Sequence, residues 1–172
     1  LIAEVGYVGY KGTHLTMFIN GNTALPGPGD PNPRRPYPVL GATSVMDNVA
    51  SSHYEGLQAK LEKRYAKGLT FRVNYSYSKT IDVGGSGFSS SSSPQNPYNM
   101  KADSALSNLD RTHILSADTV YQLPFGKGRR FGSNFNGFED AILGGWEVTG
   151  ILTRSSGSPL TVGLEGDIAN IG

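Results

Sequence analysis

The residues from 53 to 80 constrain the fold of this chain most strongly, because apolar and polar side chains alternate along them with a period of two. After residue 68, one face is formed by Leu69, Phe71, Val73, Tyr75 and Tyr77. Before residue 66, the corresponding apolar face is formed by Leu57, Ala59, Leu61 and Tyr65. The residues between them, Ala66-Lys67-Gly68, have the composition of a tight turn. The segment therefore predicts a β-hairpin with one apolar and one polar face.

The length of these strands separates two kinds of sheet. A half-buried strand of a soluble sheet alternates in the same way, but such strands usually have about five or six residues. The strands of this hairpin run to about a dozen residues, close to the roughly nine to eleven that cross a bilayer when tilted. The length therefore favours transmembrane β-strands.

Composition excludes several classes of protein and partner. The 172 residues are 37% hydrophobic, the mean hydropathy is -0.29, and no apolar run is long enough for a transmembrane helix. A membrane barrel remains compatible with these values, because half of each strand faces water. The net charge of +1 gives no reason to expect a nucleic-acid partner, and the absence of Cys excludes disulfides and thiolate metal sites.

The same alternation returns elsewhere in the chain. It predicts strands at 1–10, 111–123 and 146–154, and a sixth strand that begins at 160–164. A short helical turn is predicted near residues 139–143. The fold class predicted from these segments is all-β: an antiparallel up-and-down transmembrane β-barrel segment of five or six strands.

Two long segments rich in chain breakers separate the predicted strands. Residues 11–52 carry many prolines, and residues 81–110 carry glycines and a serine run, so both are predicted to be loops. In an up-and-down sheet, these two loops are expected at one end of the strands. The turn at 66–68 and the connection after Leu123 are expected at the opposite end. Long loops on one side are typical of the cell-exterior side of outer-membrane barrels. We expect the loop at 81–110 to be the most mobile and protease-sensitive region.

The two predicted faces supply the candidate functional residues. Charges are costly on a lipid-facing surface, so the polar face is expected to line the lumen. Its candidate ligand-binding residues are Lys60, Glu62, Arg64, Arg72, Asn74, Asp118 and Glu147. These residues can form a substrate path or simply be solvated in the lumen, and the sequence leaves both interpretations open. On the apolar face, the predicted membrane-interface aromatic residues are Tyr65, Phe71, Tyr121 and Trp146.

Residue patterns that could indicate catalysis are weak. Ser76 and Lys79 match an S-x-x-K spacing, but residues three apart in a strand point to opposite faces. The three histidines are far apart in sequence and lack the spacing of a metal site. The basic stretch at 126–130 lacks the strand-to-helix setting of a phosphate loop. We therefore expect no enzymatic activity, no metal site and no cofactor.

Short sequence words along nearly the whole chain carry a family resemblance. They include Tyr7-Val8-Gly9, Tyr54-Glu55-Gly56-Leu57-Gln58, Gly68-Leu69-Thr70-Phe71, Asp110-Arg111-Thr112-His113, Leu123-Pro124-Phe125-Gly126, Leu143-Gly144-Gly145-Trp146 and Ser156-Gly157-Ser158-Pro159. In this order they resemble the barrel domain of TonB-dependent receptors, in particular the group that carries an N-terminal carboxypeptidase-regulatory-like domain.

The resemblance implies a segment of a roughly 22-stranded outer-membrane barrel that takes up a bulky nutrient. It also implies a plug domain and an energy-coupling complex as partners, besides the lipid bilayer of the outer membrane. We expect residues 1–172 to be a partial barrel domain that is not closed on its own, with the plug and the regulatory-like domain absent from this chain. A structural or adhesive surface-exposed β-sheet protein is the alternative function.

Overall fold

The computed structural model describes residues 1–83, 94–160, 166–167 and 170–171. The strands in these residues are β1 (Ile2–Asn20), β2 (Ser44–Ala66), β3 (Leu69–Val83), β4 (Ala105–Leu106), β5 (His113–Gln122) and β6 (Glu147–Ser155). One α-helix, α1 (Gly137–Leu143), and two 3-10 helices, Asn32–Arg34 and Met100–Asp103, complete the elements of this part of the chain. None of the described helices is long and apolar enough to cross a membrane.

The strands form one sheet in the order β1-β2-β3-β5-β6, and β4 pairs with β3 outside this path. The β3–β5 and β5–β6 pairs are antiparallel. Within the described residues, β1 and β6 stand at the two ends of the path, so the sheet is not closed. This topology confirms the predicted antiparallel barrel segment.

The chain divides into two compact units, of which the first comprises residues 1–8, 56–77 and 112–156. In this unit the register places Arg72 opposite Asp118, and Asn74 opposite Ser116. The intervening pair is Val73 with Ala117. Because neighbouring pairs point to opposite sides of a sheet, polar and apolar residues form separate faces, as the alternation predicts.

The turn between β2 and β3 consists of Lys67 and Gly68, inside the predicted turn at 66–68, while Ala66 is the last residue of β2. Both residues have positive φ, at 56° and 80° respectively, which is the combination that suits a tight hairpin turn. A Cβ atom added at Gly68 would lie 2.9 Å from the backbone oxygen of Gln122. Glycine therefore serves both the turn geometry and the close approach of β5.

The connection between β5 and β6 contains the predicted short helix. Asn136 caps α1, since its side chain accepts hydrogen bonds from the backbone N–H groups of Phe138 and Glu139. The Glu139 side chain accepts from the Asn136 backbone N–H in return, which completes a capping box. Phe125 and Phe131 form an isolated bridge in the same connection, with ring centroids 5.5 Å apart.

The second unit comprises residues 9–55, 78–111 and 157–172, and it corrects both loop predictions. The expected loop at 11–52 is wrong at both ends, because β1 continues to Asn20 and β2 begins at Ser44. The prolines that suggested a loop lie only at positions 26–38, so the flanking residues keep the N–H donors that a sheet needs.

The expected structureless loop at 81–110 is also wrong where the structure describes it. Strand β3 continues to Val83, and Ala105–Leu106 pairs with Ile81 and Asp82. Asp110, which is buried, accepts a hydrogen bond from the Thr80 backbone N–H at 2.7 Å. Residues 84–93 lie outside the described residues, as does nearly all of the predicted sixth strand at 160–164.

Buried polar side chains organise residues 20–43 of the second unit. Asn22 is almost completely buried, and its amide nitrogen donates to the backbone oxygens of Tyr37, Leu40 and Gly41. Its side-chain oxygen accepts from the Tyr37 N–H at 2.9 Å. Arg35 donates to the Asn22 backbone oxygen at 2.6 Å. These contacts satisfy backbone groups that have no strand partner.

Candidate functional site

The candidate site is the polar face of the first unit, which we call the polar wall. It contains Glu4, Gln58, Lys60, Glu62, Arg64, Arg72, Asn74, Ser116, Asp118, Gln122 and Glu147. Every member comes from an alternate position of a strand, so a regular sheet aligns them without help from loops. All seven ligand-binding candidates from the sequence are part of this wall.

A row of alternating charge runs along β2. The Lys60 Nζ atom lies 3.0 Å from Glu62 Oε2, and Glu62 Oε1 lies 3.7 Å from Arg64 Nε. Lys60 Nζ also lies 3.8 Å from Glu4 Oε2 of β1. Lys60 thus contacts carboxylates on two strands.

A second ion pair links β3 to β5. Arg72 Nε donates to Asp118 Oδ1 at 3.2 Å, between two residues that are directly opposite each other in the register. One step further along the strands, Asn74 Nδ2 donates to Ser116 Oγ at 3.4 Å. Opposite charges at a cross-strand pair favour this register.

At the turn end of the strands, the polar wall continues through Gln122 and Glu147. These residues are paired in the β5–β6 register, and Gln122 Nε2 donates to Glu147 Oε2 at 3.3 Å. The hydroxyl of Tyr65 donates to Gln122 Oε1 at 2.7 Å. Tyr65 therefore directs its hydroxyl toward this polar pair, and its assignment to a membrane interface stays a prediction.

Of the other three predicted interface aromatics, Phe71 and Tyr121 belong to the apolar face, and Trp146 directly precedes β6. Tyr121 is paired with Leu69 on one side and Val148 on the other. Phe71 is paired with Thr119. Trp146 is 60% exposed, and its indole N–H donates to the Ile142 backbone oxygen at 2.8 Å.

Glu4, Gln58, Lys60, Asn74 and Ser76 also line a shallow depression in the polar wall. Its surface offers ammonium and amide donors together with carboxylate and hydroxyl acceptors, which suits a polar, hydrated solute. Among the described residues, no group of three or more His, Asp or Glu side chains is placed to hold a metal ion. The arrangement supports binding of polar groups.

A cluster at the other end of the apolar face was not predicted from the sequence. The Tyr75 hydroxyl and His113 Nδ1 are 2.7 Å apart, and the Tyr77 and His113 ring centroids are 5.2 Å apart. Arg154 is paired with Leu115 on the same face. Each of these residues shares its parity with the apolar residues of its own strand, so the sequence indicates the face, but the register that brings them to the same level comes from the structure.

Comparison with known proteins gives the family. A family model described as "Outer membrane beta barrel domain" matches residues 1–172. The chain therefore belongs to this family: it is located in the outer membrane, and its sheet is a segment of a β-barrel. No curated protein and no solved structure matched in the corresponding searches.

Proposed function

We propose that this chain forms part of the wall of an outer-membrane receptor for energy-coupled uptake of a bulky nutrient. The observation that carries the proposal is the polar wall, in which five charged side chains from four strands, Glu4, Lys60, Glu62, Arg72 and Asp118, form three of the ion pairs. In a barrel, one face of each strand meets lipid and the other meets the lumen. The charged face is assigned to the lumen.

The wall is suited to a large polar ligand. Ion pairs near a protein surface contribute only about 0–1 kcal/mol each to stability, and we attribute these pairs to contact with a solute or a plug. Donors and acceptors alternate along β2 and recur on β3 and β5, which provides many weak contacts in place of one tight pocket. Such a surface binds a passing solute without retaining it.

The resemblance to TonB-dependent receptors supports the remaining parts of the proposal. A plug domain is proposed to contact the polar wall, and an energy-coupling complex is proposed to drive its displacement. The proposal includes no catalytic step, since charge and hydrogen bonding in the polar wall are sufficient for ligand binding.

The test is uptake by cells that carry a deletion of the gene. Growth of the deletion strain and its parent is compared on a panel of metal chelates and oligosaccharides too large for general porins. The proposal predicts that the deletion strain loses growth on at least one nutrient, and that a proton uncoupler abolishes uptake of that nutrient by the parent.

A paired variant connects the uptake to the polar wall. The double variant that carries both E62Q and R72Q should reduce uptake while leaving the amount of folded protein in the outer membrane unchanged. Unchanged growth on every nutrient, together with loss of attachment to surfaces or other cells, would favour the structural or adhesive alternative.

A further inference from the structure

The end of the apolar face that lies away from the Lys67–Gly68 turn carries a polar cluster. We call it the upper cluster, and its members are Tyr75, Tyr77, His113, Arg154 and Ser156. The register aligns Tyr77 with His113, and Arg154 with Leu115, which in turn faces Tyr75. The His113 backbone N–H donates to Ser156 Oγ at 3.1 Å. The cluster is therefore held by the sheet itself.

The distance of this cluster from the opposite end of the apolar face matches the apolar thickness of an outer-membrane barrel. Trp146 lies beside Leu123, since its backbone oxygen accepts from the Leu123 N–H at 2.9 Å. Ten residues of β5 and its extension separate Leu123 from His113. At about 3.4 Å per residue and a tilt of about 40°, this is roughly 26 Å along the membrane normal, against an apolar band of about 25 Å.

Arg154 is the unusual member of this cluster. Its position in the register places it on the apolar face, where the neighbouring rows are Val73–Ala117–Leu152 and Phe71–Thr119–Gly150. None of the ion pairs in the described part of the chain includes Arg154. An arginine costs several kcal/mol at the midplane but only about 0–1 at the interface. We therefore infer that the Arg154 side chain lies at the level of the lipid headgroups, not at the midplane.

We propose that the upper cluster binds a phosphate group of the phosphorylated glycolipid of the outer leaflet, lipid A. The Arg154 guanidinium supplies a planar pair of donors that matches a phosphate. The hydroxyls of Tyr75, Tyr77 and Ser156 supply further hydrogen bonds at the same level. Below them, Val73, Ala117 and Leu152 form an apolar surface for the acyl chains.

The choice of leaflet follows from the connections. The upper cluster lies where β5 begins and β6 ends, at the end of the sheet toward which β3 runs before the long stretch of chain between β3 and β5. Long connections are typical of the exterior side. The outer leaflet on that side presents phosphorylated glycolipid. This inference is independent of the proposed uptake function, since it concerns the face opposite the polar wall.

The test uses the full natural chain, folded in detergent micelles. Native mass spectrometry measures the affinities for bis-phosphorylated lipid A, for lipid A stripped of phosphate, and for phosphatidylglycerol. The wild-type protein should bind bis-phosphorylated lipid A most tightly. R154Q should bind it roughly tenfold more weakly because a charge-assisted hydrogen bond is lost, and R154K should lie between them because it keeps the charge.

R130Q serves as the matched control, because it removes the same charge from the connection between β5 and β6, and its lipid A affinity should equal that of the wild type. A shift in gel mobility on heating shows that each variant is folded. The proposal is overturned if folded R154Q binds lipid A as tightly as the wild type. It is equally overturned if the wild type binds dephosphorylated lipid A or phosphatidylglycerol as tightly as bis-phosphorylated lipid A.

Discussion

Glu62 shows how a single charge is accommodated on the polar wall. Its side chain is only 26% exposed, yet its two oxygens face different cations, Lys60 at 3.0 Å and Arg64 at 3.7 Å. Both cations lie two positions away on the same strand, so the row forms wherever β2 is extended. The alternation in the sequence was sufficient to predict that these three charges share a face.

Substitution of Val73 provides a test of the apolar face, which lies opposite the polar wall, at the scale of one residue. It is paired with Ala117, close to the middle of the ten-residue interval between Leu123 and His113. V73R should lower the free energy of unfolding in lipid vesicles by about 2–4 kcal/mol, because a cation at the midplane is costly on a lipid-facing surface. Urea titration monitored by tryptophan fluorescence measures this change in the free energy of unfolding.

The control for V73R is R72Q, one position along β3. It exchanges an exposed member of an ion pair for a neutral amide, so the expected change is below about 1 kcal/mol. Equal destabilisation by the two variants would contradict the assignment of the faces to lipid and lumen.

At the scale of the element, the strands and the tight turn of the first unit could be predicted because they depend on local pattern. The ends of β1 and β2 could not, since the residues next to Asn20 and Ser44 inside the strands do not alternate cleanly between apolar and polar. The position of β4 depends on pairing with Ile81 and Asp82 over more than twenty residues. Such pairing is decided by tertiary contacts such as the Asp110–Thr80 hydrogen bond.

The candidate site divides in a similar way. The seven polar-wall residues follow from parity alone, but the contact of Tyr65 with Gln122 depends on three-dimensional proximity at the turn. The cluster around His113 was missed because the relation between Tyr75 on β3 and Arg154 on β6 depends on the register of two strand pairs. One sequence does not specify that register, since both pairs are joined by long connections.

Gly68 provides a test at this scale. G68A should lower the free energy of unfolding by about 1–2 kcal/mol, because an L-residue is disfavoured at positive φ and the new Cβ would approach the Gln122 oxygen. K67A is the control, as Lys67 already has a side chain at positive φ and should tolerate alanine with little change. The same urea titration applies, and a loss for K67A as large as that for G68A would show that turn geometry is not the cause.

For the whole molecule, the connections predict which end of the strands faces the cell exterior. Trypsin added to intact cells should cut in the upper connections, for example after the exposed Lys101. It should leave the exposed basic residues at 127–130 intact, since that connection is expected to face the periplasm. Mass spectrometry of the fragments identifies the sites, and permeabilised cells provide the control in which 127–130 is also cut. Cleavage at 127–130 in intact cells would invert the topology.

The central claim is that the apolar face meets lipid and the polar wall meets the lumen. The chain contains no cysteine, so single cysteines can be introduced at Phe71, Val73 and Tyr75, and at Arg72, Asn74 and Ser76. Labelling in the outer membrane with a membrane-impermeant thiol reagent should modify the second set and spare the first. Equal labelling of the two sets, or labelling of the first set alone, would contradict the account.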